Sequence, residues 1–207
     1  MNVREPQIDT PVRRGRGRPP LGDKRRQILD AALVLFAERG YHGTAVPLVA
    51  SAAHVGTGTI YHYFTNKEEL VNAVFRDAKT RLRHTLFDGL DTARDSHTLF
   101  LDVWDRLARF AKSEPLCFRF LEMQDHIPYL DEESLELERR VLVPLWVAGS
   151  AIVGQRELPT EIMMALVWGA LVGLVKSERL GYLTLTDEAL QKAGEACWQG
   201  ITAKLSN

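Results

Sequence analysis

The chain has 207 residues, 45% hydrophobic and 26% charged, enough to bury a core without a metal or disulfide and too balanced for gross disorder. Its net charge of -1 hides an asymmetry, because residues 1–80 carry a net +4 and the remainder a net -5; the front half is the one suited to a polyanion. Cys117 and Cys197 lie 80 positions apart among apolar neighbours, which excludes a readable zinc pair or disulfide framework and fits a reducing, cytoplasmic setting.

Residues 1–20 hold Pro6, Pro11, Pro19 and Pro20 with Gly15 and Gly17 and lack apolar periodicity. They read as a flexible basic arm, without the apolar stretch of a secretory signal. From there helical periodicity takes over. Asp23 is expected to cap a first helix ending near Arg39, with Ile28, Leu29, Ala32, Leu35 and Phe36 on one stripe and Gly40 as the stop. Two short helices follow over 45–53 and 57–64, joined by His54-Val55-Gly56. Asn66, with Glu69 in capping-box spacing, starts a long helix through Leu70, Val74, Ala78 and Leu82. Five more helices are predicted at about 96–113, 115–126, 132–153, 161–179 and 187–205, punctuated by Pro115, Pro128, Pro159 and Gly181. No segment alternates with period two, so the fold class is all-α with about nine helices.

The 44–64 segment has the proportions of a helix-turn-helix. Val46, Val49 and Ala50 face inward, Val55 plugs the turn, and Ile60 and Phe64 anchor the second helix. Thr57, Gly58, Thr59, Tyr61, His62 and Tyr63 are left facing outward. The run from Thr44 to Ala50, continued by Val55-Gly56-Thr57-Gly58-Thr59-Ile60-Tyr61-His62-Tyr63-Phe64 and Thr65-Asn66-Lys67-Glu68-Glu69-Leu70, resembles the signature of the TetR family. The likeness covers about residues 24–75, a quarter of the chain.

That resemblance implies a homodimer with an arm (1–21), a DNA-binding head (22–83) and a ligand-binding and dimerisation body (84–207). It implies phosphate contacts from Thr44, Tyr61 and Lys67, and groove-facing positions at Thr57, Gly58, Thr59, His62 and Tyr63. Hydroxyls and an ammonium suit phosphate oxygens. The helix carries no Arg, Asn or Gln for bidentate base pairing, so direct readout should be modest. Two positions depart from the family: His54 stands where Gly is usual, and Gly56 where Ser often caps. In the arm, Arg13, Arg14, Arg16 and Arg18 resemble the Arg-Gly-Arg-Pro core of AT-hook segments, whose arginines enter narrow A·T minor grooves. A solvated tail that adds only nonspecific affinity has the same composition, and both readings stand at this point.

The run 162–175 is apolar throughout, shorter than the roughly 18 residues of a membrane span, so no membrane partner is expected. Apolar on every side, it needs cover on every side, part of it from a second chain. The expected interface comprises Trp168, Gly169, Val172 and Gly173 with a matching stripe of Leu190, Gly194, Cys197, Trp198 and Ile201. The resemblance places the last two helices in a four-helix dimer contact; a monomer with one buried central helix is the alternative.

Trp104, Phe118, Leu121, Glu122, Met123, His126 and Trp146 are candidates for an apolar ligand pocket, although each is also what an ordinary core would use. Glu122, Asp125 and His126 sit near the end of one predicted helix, Glu122 and His126 four apart on one face, suited either to orienting a polar ligand group or to plain surface charge. Without a second cluster they make no metal site, and no cofactor is expected. With no phosphate loop, nucleophile elbow or His-Glu-x-x-His motif, the chain is not expected to be an enzyme. The function these readings converge on is a sequence-specific transcriptional regulator, a repressor released from a pseudo-palindromic double-stranded DNA operator by a small-molecule inducer. The competing functions are a dimeric DNA-binding protein without a ligand and a small helical enzyme.

Overall fold

The computed structural model describes residues 21–153 and 159–203. The arm's arginines at 13, 14, 16 and 18 lie outside the described residues. Those residues form α1 (Leu21–Arg39), α2 (Val46–Ala52), α3 (Thr57–Tyr63), α4 (Lys67–Phe87), α5 (Ser96–Ser113), α6 (Pro115–Met123), α7 (Glu132–Val153), α8 (Thr160–Arg179) and α9 (Asp187–Thr202). A single 3-10 turn spans Ile127–Tyr129, and no strand occurs among the described residues. The all-helical expectation holds.

Helix starts follow local capping chemistry. Asn66 Oδ1 accepts from Glu69 N at 2.8 Å while Glu69 Oε2 accepts from Thr65 N at 2.6 Å, a capping box displaced by one residue. Asp95 caps α5 through the amides of His97 and Thr98, and Thr186 caps α9 through that of Ala189. Gly40 ends α1 at a φ of 70°, a left-handed turn that costs glycine nothing. Asp23, the expected cap, lies inside α1.

Ile28, Ala32 and Phe36 of α1 close over Val49, Ile60 and Phe64 to form the core of the head. Helix α4 then carries one continuous buried stripe, from Leu70 through Val74 and Ala78 to Leu86, out of the head and into the body. It contacts α1 at one end and α5, α6 and α7 along its length. The domain boundary expected between 83 and 84 therefore falls within an unbroken helix.

Helix α9 lies along α5. Trp104 Nε1 donates to the Leu190 carbonyl at 2.8 Å, and Gly194 makes room for the indole: an added Cβ would sit 2.7 Å from Trp104 Cδ1. Leu190, Gly194 and Ile201 are thus buried in the chain's own core, and half-buried Trp198 sits against His97 and Phe100, with half-buried Cys197 packed on the same core. Leu190, Gly194 and Ile201, expected to meet a second chain, are covered within the chain, whereas Cys197 and Trp198 keep part of their surface exposed. An apolar stripe demands a neighbour without naming which one.

Helix α8 differs. By length and composition it would suffice to cross a membrane, and only 17% of its apolar window is buried within the chain. Leu171 and Met163 face the core, whereas Ile162, Leu166, Gly169 and Gly173 are exposed along the opposite side. Replacing Gly194 with Ala should destabilise the fold by about 1–3 kcal/mol through overpacking on Trp104, read as a lower denaturation midpoint at unchanged slope in urea.

Candidate nucleic-acid interface and ligand cavity

The turn between α2 and α3 is built on two backbone devices. His54 adopts a φ of 52°, the left-handed region in which glycine would be unstrained. Val55 N donates to the Ala50 carbonyl at 2.9 Å, closing the turn around the half-buried valine. Gly56 caps α3 with its backbone alone, since it has no side chain to accept from the helix. Both departures from the family pattern thus fall on the turn itself.

Along α3, Ile60 is buried and Gly58, Tyr61 and His62 are exposed, with Thr57, Thr59 and Tyr63 half-buried. The His62 and Tyr63 rings meet edge-on, 5.3 Å between centroids. Lys67 extends its ammonium over the Tyr41 ring at 4.0 Å, and burial there lowers its pKa. Thr44, expected to hold a phosphate, is instead 1% exposed, and its hydroxyl lies within hydrogen-bond reach of the carbonyls of Gly40, at 2.8 Å, and Leu35, at 3.1 Å. It stitches the α1 end to the α2 start and does not belong to the outer face. Arg25 was not singled out from sequence, yet its guanidinium lies 5.4 Å from the Phe64 ring centroid, beside the end of α3. The Lys24-Arg25-Arg26 run was the signal available, and the structure divides it, because Arg26 is held by Asp30 at 2.6 Å and Asp77 at 2.9 Å.

In the body, α4, α5, α7 and α8, with Leu121 of α6 and the loop after it, line a partly open cavity of about 450 Å³. Phe75, Leu82, Phe100, Val141, Met163 and Trp168 supply much of its apolar wall. Of the residues expected there, Leu121 and His126 line it. Trp104 is committed to α9, Met123 and Trp146 are exposed, and Glu122 lies 3.8 Å from Arg179. Phe118 faces a second hollow of about 400 Å³ with Leu171 and Val175, and its ring meets Trp168 at 5.3 Å. Trp168 thus lines both the cavity and the core while staying partly exposed, and Val172 is half-buried against the same core.

The predicted pairing of Glu122 and His126 on one helix face fails because α6 stops at Met123. Gln124 turns left-handed with a φ of 56°. That reversal sends His126 into the interior, 1% exposed, stacked on Phe120 at 4.3 Å and 5.5 Å from the Phe75 ring. Burial pushes its imidazole down to about 4, helped by Lys79 and opposed by Asp125. Its Nδ1 has no hydrogen-bond partner among the described residues. Across the cavity Lys79 Nζ lies 2.5 Å from Glu138 Oε2, a close ion pair outside hydrogen-bond geometry.

The loop after α6 touches the head as well as the cavity. Gln124, His126, Ile127 and Leu130 line the cavity, while Asp125 Oδ2 accepts from Tyr41 N at 2.6 Å. Gly40 is required here a second time, because the Asp125 carboxylate occupies the space a Cβ would take. Tyr129 stacks on Tyr41 at 4.0 Å, and its carbonyl accepts from Asn72 Nδ2 at 2.8 Å. Asn72 Oδ1 accepts from Asp131 N at 2.9 Å, so α4 holds the same loop.

A helix-turn-helix head joined by one long helix to an all-helical body with an internal cavity is the architecture of a helix-turn-helix regulator. Residues 28–74 match the family described as bacterial regulatory proteins, tetR family, and residues 75–203 match the tetracyclin repressor-like C-terminal domain. The chain belongs to the TetR family. Among curated relatives it is 28% identical to the HTH-type transcriptional regulator YhgD of Bacillus subtilis, over 58% of this chain and 64% of that protein. The chain thus spans less than two thirds of the length of that relative. Among solved structures it is similar to a TetR family transcription regulator from Marinobacter aquaeolei, with a TM-score of 0.75 and 23% identity over 86% of this chain and 95% of the other. It is also similar in fold to the regulator FadR of Bacillus subtilis in complex with stearoyl-CoA, with a TM-score of 0.61 and 17% identity over 87% and 99% of the two chains.

Because the folded state refuses a proton that an unfolded His126 would take near pH 6.5, this residue's contribution is complete above that pH and is lost as pH falls toward 4. The loss should reach up to about 3 kcal/mol. A His126→Phe variant should show a flatter decline of stability between pH 6.5 and 4 in urea titrations; an unchanged slope would exclude a buried neutral imidazole.

Proposed function

We propose that this protein is a cytoplasmic, homodimeric repressor that holds a double-stranded DNA operator through the outer face of α3 and releases it when a small molecule fills the body cavity. The observation that carries the reading is the Gln124–Asp131 loop. One side of it is cavity wall, and the other side holds the turn that precedes α2. A ligand that reshapes the wall changes the support of the head, and it shifts the equilibrium to the extent that it prefers one arrangement over the other.

On the DNA side, Tyr61, His62, Gly58, Thr57, Thr59 and Tyr63 face the groove, with Lys67 and Arg25 beside them for phosphates. The arginines at positions 13, 14, 16 and 18 supply the positive charge that this face of α3 lacks. The second copy docks on the exposed side of α8, where Ile162, Leu166, Gly169 and Gly173 line up at helical spacing and nothing lies within 4 Å of a Cβ added at either glycine. This reading places Gly169 and Gly173 in the interface and moves its remainder off the inward stripe of α9. A paired α8 also accounts for its apolar exposure without a membrane.

Operator fragments selected from genomic DNA provide the assay. Tyr61→Ala and His62→Ala should each weaken operator binding by about 1–3 kcal/mol in fluorescence anisotropy at fixed salt, with thermal stability unchanged. Asp125→Ala should still bind the operator but respond less to any compound that releases it from the unaltered protein. Release at the same concentration from both would remove the loop from the mechanism. Leu166→Glu should convert the dimer to monomer in light scattering, whereas an unaltered mass would place the interface elsewhere.

A further inference from the structure

The cavity has four polar side chains in an otherwise apolar wall: Lys79, Gln124, His126 and Glu138. Two of them are charged, and they cancel. Lys79 and Glu138 sit 2.5 Å apart, with their side chains only 10% and 28% exposed. Gln124 is neutral, and the buried imidazole of His126 stays uncharged at neutral pH. No unbalanced charge therefore faces a ligand. An entering carboxylate would find Lys79 already neutralised and Glu138 repelling it, and an entering ammonium would meet the reverse. Against a largely apolar wall each penalty is screened less than it would be in water.

The wall does offer unused hydrogen-bonding capacity. Glu138 Oε2 is buried and accepts no hydrogen bond, although the lysine lies beside it. Among the described residues the lysine is the one donor beside it and is poorly aligned, so a ligand that brings a well-directed donor to this oxygen improves on the contact. The group best matched to a contact ion pair is one that donates to the anion and accepts from the cation through a single atom, which is what a hydroxyl does.

We infer that the cavity selects an uncharged lipophile bearing one hydroxyl, an alcohol or phenol whose O–H donates to Glu138 and accepts from Lys79 while its hydrocarbon body lies against Phe75, Leu82, Val141 and Met163. This rests on the reading of the cavity as the inducer site and names the chemistry that site takes. A volume of about 450 Å³ suits a medium-length chain or a small ring system. It separates this protein from a regulator that seats a charged thioester such as the stearoyl-CoA bound by the structural neighbour FadR.

The test uses the full chain without DNA and three probes of equal length, 1-decanol, decanoate and decylamine, with binding read by titration calorimetry at pH 7.5. The unaltered protein should bind 1-decanol at least tenfold more tightly than either charged probe. Glu138→Gln leaves Lys79 without its counter-ion and should invert the order in favour of decanoate; Lys79→Met should favour decylamine. Two variants with opposite expected shifts keep the test decisive if one of them folds poorly. Decanoate binding the unaltered protein as tightly as 1-decanol, no binding of 1-decanol, or an unchanged order in both variants would each overturn the inference. Operator release is scored separately: 1-decanol that binds with the expected preference but leaves the operator bound supports the selectivity and overturns the inducer reading.

Discussion

A single backbone reversal at Gln124 organises the functional geometry. Its left-handed φ ends α6 and brings Asp125 to the head, on the Tyr41 amide, and His126 to the cavity wall, with the Asp125 carboxylate still 3.9 Å from the imidazole Nδ1. Non-glycine residues visit this region at a modest cost, which persists only where the surroundings hold them there. Here the surroundings are specific: the Tyr41 amide, the stacked ring of Tyr129 and both ends of the Asn72 side chain. Remove the reversal and the helix would continue, leaving the head tied to the body only through α4 and the α1–α6 packing.

The cavity and its polar groups follow from the same principle of compensated cost. A buried lysine is tolerable because a glutamate sits beside it, and a buried imidazole because it stays neutral. These groups stabilise the fold less than leucines of equal volume would, and conserving free energy of folding does not explain their placement. Their positions on α4, α7 and the loop after α6 bring polar groups from three segments distant in sequence to one space, as the proposed ligand site requires.

The head was legible in sequence because its information is local. Turn length, the inward positions 46, 49, 50, 60 and 64, and the Asn66 cap all act within a few residues of one another. The body was legible as helices but not as a site. Nothing in Gln124 marks a helix end as a glycine would, so His126 was read on the wrong face. Phe75, Lys79 and Glu138 were missed because a cavity is defined by which helices face each other, and periodicity reports only that each helix has an apolar side. Thr44 shows the limit of transferring roles by position, since its hydroxyl turns inward to two carbonyls. The stripe on α9 is legible as apolar but not as to its neighbour: α5 covers Leu190 and Gly194 within the same chain, and Cys197 and Trp198 stay partly exposed.

The stack of Lys67 over Tyr41 over Tyr129 has a thermodynamic consequence. The ammonium proposed to meet a phosphate rests, in the free protein, on the ring that also anchors the cavity loop. An ammonium drawn off that ring toward a phosphate would give up its cation–π contact, which ties the proposed DNA contact to the ring that anchors the loop. Linkage then runs in both directions: whatever factor the inducer imposes on the operator, the operator must impose on the inducer. On the proposed function, the concentration at which a ligand is sensed is therefore not a property of the cavity alone but is set partly by how many operator copies the protein can occupy.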